Sequence, residues 1–314
     1  MTVAVIISAL YQRIASRRAV DKYPSPGVMV DVGGYRLHFN CVGKGDTTII
    51  LEAGGGTFSL SWALVQTAAA KAAGVRVCSY DRAGLGWSDP RPGPYSVVEE
   101  IEALHRGLVK LGIDKNLVLV GHSYGGFLMS LYAGRYTKDV IGMVLVDPNS
   151  AFFFDQHPAV IKKVQRQGRL LRIAAPIGVV RWIAAKEMQT TLRLARDNDA
   201  RKLIDLSLTT KHLSSTAKML LAFPGTLDAV RVSGALPDVP LTIITRGKAE
   251  KAFPWGDGEK ENAWRKGQKE IVHAAPQGKL IVATESGHMV PFDQPELIVD
   301  AITHVIKTAG NRSR

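Results

Sequence analysis

Residues 116–126, Asn116-Leu117-Val118-Leu119-Val120-Gly121-His122-Ser123-Tyr124-Gly125-Gly126, decide the fold. The first half is a short apolar run, suited to a strand buried on both faces of a sheet. The second half is a Gly-x-Ser-x-Gly turn, and Phe127–Tyr136 behind it is apolar at helical spacing. A chain that passes so abruptly from strand to helix crowds its own side chains. Gly121 and Gly125 remove the Cβ atoms that would clash. Ser123 is then lifted above the sheet, and the following helix aims its positive N-terminal end at it. A Gly/Ser turn without chemistry would carry the same letters, but it would not need the flanking strand and helix.

Outward from this corner the chain alternates between β-like and helical runs. Val28–Val32 and Tyr35–Val42 flank Gly33-Gly34, a hairpin signal. Thr47–Ala53, Val75–Asp81, Asn116–His122, Val140–Asp147, Leu241–Arg246 and Lys279–Thr284 read as further strands. Ser96–Leu111 and Glu296–Lys307 have helical periodicity. A hairpin followed by alternating strand and helix predicts an α/β protein, with a mostly parallel central sheet flanked by helices. Residues 149–238 break the rhythm. They contain no convincing strand and are punctuated by Pro158, Pro176, Pro224 and Pro237, so a helical cap inserted after the sixth strand is expected. Residues 19–27, with two prolines and a glycine, read as a linker.

The 314 residues are 46% hydrophobic and 22% charged, the proportions of a globular protein rather than a disordered or fibrous one. The net charge is +12, and residues 150–235 hold 14 basic and 6 acidic residues. No nucleic-acid motif accompanies the charge, so no nucleic-acid partner is expected. The basic segment reads as a solvated helical face or as a surface for anionic lipid. Thr2–Tyr11 is apolar but too short to span a bilayer. Arg13, Arg17 and Arg18 follow it, the reverse of a secretory signal. An interfacial helix, a helix docked on the domain and the stump of a longer anchor all fit. The expected location is cytoplasmic, with peripheral membrane contact through this segment left open. Cys41 and Cys78 are too few for a disulfide framework, and each sits in a β-like run, so buried free thiols are expected.

A serine hydroxyl needs a base to become a nucleophile at neutral pH. Of the eight histidines, His288 in Glu285-Ser286-Gly287-His288-Met289 follows the last strand, where a loop can carry it over Ser123. An acid must orient the imidazole. Asp147 ends the sixth strand and Glu250 follows the seventh. Asp147 is favoured, although an acid before Pro148 can simply cap a turn, and Glu250 sits between lysines in a solvated loop. For a developing oxyanion, one donor should be the N–H of Tyr124 and the other an N–H from Ala53-Gly54-Gly55-Gly56, with Gly55 chosen. No cofactor and no metal is called for.

Together these residues resemble the α/β-hydrolase family, in the esterase/lipase-like branch. Leu51–Gly56 (LEAGGG), Tyr80–Asp89 (YDRAGLGWSD), Gly121–Gly126 (GHSYGG), Val144–Pro148 (VLVDP) and residues 286–296 (SGHMVPFDQPE) carry the likeness, in order, from about Tyr23 to Ile306. The resemblance implies an extension over 1–22, a core over 23–148 and 239–314, and a cap over 149–238. It carries Ser123, His288, Gly55 and Tyr124 into their roles, and gives Asp81, Arg82, Trp87 and Trp62 structural ones. There is one departure. Many relatives carry Gly-x-x-Asp after the seventh strand, where this chain has Gly247-Lys248-Ala249-Glu250. Others use an acid after the sixth strand, which favours Asp147.

Epoxide hydrolases and haloalkane dehalogenases of this fold use Asp at the corner, so Ser123 points to acyl transfer. A small-molecule ester with an apolar part is the expected substrate, because Phe152, Phe153, Phe154, Trp182, Leu220 and Phe223 could line a pocket in the cap. Core packing explains those residues as well. Amidases and carbon–carbon-bond hydrolases share the same triad, and a non-catalytic binding member of the fold is the alternative from another class. The oligomeric state is not readable.

Overall fold

The computed structural model describes residues 2–183, 197–250 and 258–311. Eight strands form one sheet: β1 Val28–Asp31, β2 Arg36–Val42, β3 Thr48–Glu52, β4 Arg76–Tyr80, β5 Leu117–His122, β6 Val140–Val146, β7 Leu241–Arg246 and β8 Gly278–Ala283. Their spatial order is β1-β2-β4-β3-β5-β6-β7-β8. The first two strands pair antiparallel and every pairing from β4 to β8 is parallel.

The central strands β3, β5 and β6 are mostly apolar because both faces are covered. Alternate residues go to opposite sides. Ile50, Leu119, Leu145 and Ile243 join one core with α3 (Val97–Lys110) and α4 (Tyr124–Arg135). Ile49, Leu51, Val118, Val120 and Val144 join the other with α2 (Ala63–Ala73) and α12 (Pro295–Gly310). Between β7 and β8 lies α10 (Gly258–Ala274), and α11 (Val290–Asp293) follows β8.

Between β6 and β7 the described residues form only helices: α5 (Ala151–Gln156), α6 (Pro158–Ile177), α7 (Asp197–Ser207), α8 (Thr210–Leu221) and α9 (Phe223–Val232). The prolines act as punctuation. Pro158 and Pro224 sit in the first turns of α6 and α9, where their missing N–H is not needed. Helix α1 (Thr2–Lys22) packs against this insertion. The expected linker therefore starts later than its composition suggests: Ala19–Lys22 remain helical, with Ala19 buried. No helix among the described residues is long and apolar enough to cross a membrane.

The expectation of two buried free thiols is overturned. Cys41 and Cys78 form a disulfide, and Cys41 is exposed while Cys78 is buried. They face each other across the antiparallel β2–β4 pair. That register joins strands that are not neighbours in sequence, and the intervening β3 hides it from a linear reading.

Two results are expected. Thiol titration of the unfolded, unreduced chain finds no free thiol. The double variant Cys41→Ser/Cys78→Ala, which opens a loop with a sequence separation of 37, loses about 2–4 kcal/mol in urea unfolding.

Candidate active site

The corner after β5 has the strained backbone expected of it. Ser123 has φ 53° and ψ −117°, a conformation that an L-residue rarely adopts. It persists because its surroundings hold it. The Ser123 N–H donates to the Val146 carbonyl at 3.0 Å, and its own carbonyl accepts from Gly126 and Asn149. There is no room for side chains on either side. A Cβ at Gly121 would lie 2.5 Å from the Gly125 carbonyl oxygen, and one at Gly125 would lie 2.6 Å from that of Glu52.

His288 comes from the loop after β8 and meets Ser123: Nε2 is 2.9 Å from Oγ. Its Nδ1 is 2.6 Å from Oδ2 of Asp147, just beyond β6. An ionised carboxylate only accepts, so Nδ1 carries the proton and Nε2 is the acceptor for the serine hydroxyl. The loop is pinned at its backbone too. His122 Nε2–H donates to the His288 carbonyl at 2.8 Å, and Oε1 of Glu250 accepts the His288 N–H at 3.0 Å. Glu250 thus touches the main chain of His288, while the ring belongs to Asp147. Burial, helped by the neighbouring His288, pushes the His122 imidazole down to about 3, so that ring stays neutral.

Asp147 is wholly buried. Its backbone has φ 39°, a left-handed value that Asp tolerates better than most residues. Oδ2 also accepts from Arg246 Nη1 at 2.7 Å, and Oδ1 accepts from Trp264 Nε1 at 2.9 Å and Gln268 Nε2 at 2.8 Å. Burial alone would raise its pKa. The bond from His288, the charge of Arg246 and the Gln268 amide outweigh it, and the carboxyl is held below the usual carboxylate range. Arg246 is itself buried and bonded to Glu261. Trp264, Gln268 and Glu261 escaped the sequence reading. Their one visible signal was the spacing of three and four residues, which puts them on a single face of α10.

On the other side of Ser123 lies the glycine loop. A Cβ at Gly54 would approach the His122 ring and Ser123, and one at Gly55 would sit 3.4 Å from the Tyr124 Cβ and 3.3 Å from Met219 Cε of α8. Tyr124 opens α4, so its N–H is one of the orphan donors of a helix start. Arg82 clamps this loop. It donates to the carbonyls of Ala53 at 2.7 Å and Gly54 at 2.6 Å, and pairs with buried Glu52, which also accepts from Tyr80. Asp81 accepts from the N–H groups of Ser59 and Trp87 and pairs with His38. Trp62 is fully buried. His212 on α8 donates to the Gly56 carbonyl at 3.0 Å and accepts from Gly86 N–H at 3.1 Å.

The aromatic residues expected over the site divide. Phe153, Phe154 and Phe223 are buried in the core alongside Phe127, whereas Trp182 is 74% exposed beside Tyr11. Of the insertion side chains, Met219 lies beside Gly55 and Thr216 beside Gly56. A cleft of about 510 Å³, lined by Arg17, Tyr23, Trp87 and Lys211 among others, lies beside α1 and includes none of Ser123, His288 or Asp147.

Residues 49–301 match the sequence profile of the Alpha/beta hydrolase family. Among curated proteins, the chain is 30% identical over 133 residues to the uncharacterized protein YqjL of Bacillus subtilis, covering 40% of this chain and 52% of that one. It is 35% identical over 98 residues to a proline iminopeptidase of Saccharolobus solfataricus, covering 30% and 29%. The chain spans about half or less of the length of these curated relatives. A thermophilic esterase from Thermogutta terrifontis shares the fold, with a TM-score of 0.64 at 19% identity over 88% of this chain and 94% of the other.

Two stability outcomes test the local physics. Arg82→Met leaves Glu52 buried without its cation and lowers the unfolding free energy by about 3–5 kcal/mol. Ser123→Gly relieves the corner and raises it by about 1 kcal/mol. Urea titration measures both, and an unchanged midpoint in either case contradicts the account.

Proposed function

The chain belongs to the alpha/beta hydrolase family, and from that premise we propose that it is a serine hydrolase cleaving carboxylic esters through an acyl-enzyme on Ser123. The observation that carries the reading is the unbroken line Ser123 Oγ, His288, Asp147, with separations of 2.9 and 2.6 Å.

In this reading Ser123 Oγ attacks the ester carbonyl carbon as its proton passes to His288 Nε2. The imidazolium that forms is stabilised by Asp147, which keeps its negative charge. The carbonyl oxygen becomes an oxyanion and takes hydrogen bonds from the N–H groups of Tyr124 and Gly55. One such donor contributes about 10²–10³ in rate. Collapse of the tetrahedral intermediate expels the alkoxide, which leaves as the alcohol with the proton from His288. Water then gives a proton to His288 and attacks the acyl carbon, and a second collapse returns the proton to Ser123 and releases the acid. Each proton has a donor and an acceptor among these residues, the substrate and water.

Asp147 is the acid of the triad in this proposal. Glu250 instead fixes the main chain of His288 through its N–H. Met219, beside Gly55, would give a bound ester an apolar neighbour, in keeping with an apolar substrate. A second reading, amide or peptide cleavage, draws on the relative named a proline iminopeptidase. The same residues would serve, with His288 protonating an amine instead of an alkoxide.

Three measurements test the proposal. A fluorophosphonate probe labels the wild type and leaves Ser123→Ala unlabelled. On nitrophenyl esters, Asp147→Asn lowers kcat by about 10³–10⁴, whereas Glu250→Gln changes it by less than about tenfold. Ester turnover that survives Ser123→Ala, or a larger loss in the Glu250 variant than in the Asp147 variant, contradicts the assignment.

A further inference from the structure

Helix α1 is built inside out. The side it turns to the protein carries Ser8, Gln12, Ser16 and Ala19, with Tyr23 just beyond its end. Ser8 donates to the Ile177 carbonyl. Fully buried Gln12 donates to the Leu208 carbonyl at 2.8 Å and accepts from Arg181 Nε at 3.0 Å. Ser16 Oγ accepts from the Thr210 N–H at 3.1 Å, and Tyr23 donates to Asp205 at 3.0 Å. The outward side carries Val3, Ile6, Ile7, Leu10 and Ile14, each between 49% and 70% exposed. A helix lying on a protein in water turns its apolar stripe the other way. This one cannot roll over to hide Leu10 and Ile14, because rolling would strip Gln12 of its partners.

The exposed apolar surface continues onto the insertion. Tyr11 and Trp182 lie with ring centroids 6.1 Å apart, and Trp182 and Ile183 are 74% and 62% exposed. The surroundings are basic. Arg13, Arg17 and Arg18 are exposed along α1. Helix α6, whose last residue receives the Ser8 bond, contains five basic and no acidic residues, and its Arg166, Arg169 and Arg172 are exposed.

We propose that α1 together with Trp182 and Ile183 is a docking surface for an anionic lipid bilayer. The apolar residues enter the acyl boundary, Tyr11 and Trp182 sit at the headgroup level that such rings favour, and the arginines lie among the phosphates. Residues 3–7 are exposed on every side of the helix. A fluid medium can surround such a projection, whereas a folded partner would need a matching socket. The contact is peripheral, since α1 is not apolar enough to cross.

The test is co-sedimentation of the full chain with vesicles of phosphatidylcholine, with and without phosphatidylglycerol. The wild type is expected to pellet with the anionic vesicles. The variant Ile6→Glu/Ile7→Glu/Leu10→Glu weakens binding by more than about a hundredfold. The variant Arg13→Gln/Arg17→Gln/Arg18→Gln weakens it by about fivefold per arginine and lowers the salt dependence. The substituted side chains are exposed, so both variants should melt with the wild type, and turnover on a soluble nitrophenyl ester is unchanged whether or not vesicles bind. Wild type that stays in the supernatant with both vesicles overturns the proposal, as does equal pelleting of wild type and the glutamate variant. Concentration-dependent self-association abolished by the glutamates, without vesicle binding, reassigns the face to contact between copies of this chain.

Discussion

Asp147 is a carboxylate removed from water, and the geometry of the candidate site depends on how that charge is compensated. An isolated buried carboxylate would neutralise itself. Here donors converge from three places: Arg246 at the end of β7, Trp264 and Gln268 on α10, and His288 from the loop after β8. Arg246 brings its own burial problem, which Glu261 on α10 answers. The network is not a large source of net stability, because desolvation offsets much of the attraction. Its effect is geometric. With its lone pairs engaged by rigid partners, Asp147 holds the imidazole in one tautomer and one orientation.

The opposite flank of Ser123 follows the same logic with different residues. Glu52 and Arg82 form a second buried pair, and two further guanidinium hydrogens are directed at the carbonyls of Ala53 and Gly54. Fixing these carbonyls fixes the peptide planes of the glycine loop, and with them the direction of its N–H groups. His212 adds a tie from the insertion by holding the Gly56 carbonyl and the Gly86 N–H. Ser123 therefore stands between two charge-compensated buried networks, each anchored to a different half of the sheet.

Much of this was legible in the sequence because it is local. The strand–turn–helix corner, the serine on it, the acid ending β6 and the histidine after β8 lie in short segments whose letters state their own geometry. The contacts that escaped are between distant segments. Trp264 and Gln268 stand more than a hundred residues from Asp147, and their donors look like any others on an amphipathic helix. His212 has no local signature for its two backbone partners. The Cys41–Cys78 bond depends on the β2–β4 register, which the order of strands in space sets and the order in sequence conceals. The polar stripe of α1 belongs here too. Its apolar residues were obvious, but which side would meet the protein was decided by Gln12 finding partners on Leu208 and Arg181.

The disulfide has a consequence for how the sheet comes apart. It spans the seam where antiparallel pairing gives way to parallel, tying the β1–β2 hairpin to β4. Ser123, Asp147 and His288 hang from β5, β6 and β8, beyond β3 on the far side of that seam. Loss of the covalent tie would first let the outer ribbon peel, since an edge of two strands holds weakly by itself. Fraying would have to unzip β4 from β3 before Arg82 lost its grip on the glycine loop. The cross-link thus works as a rivet at one margin of the sheet, and fraying that starts from the hairpin must cross β4 and β3 before it reaches the candidate site.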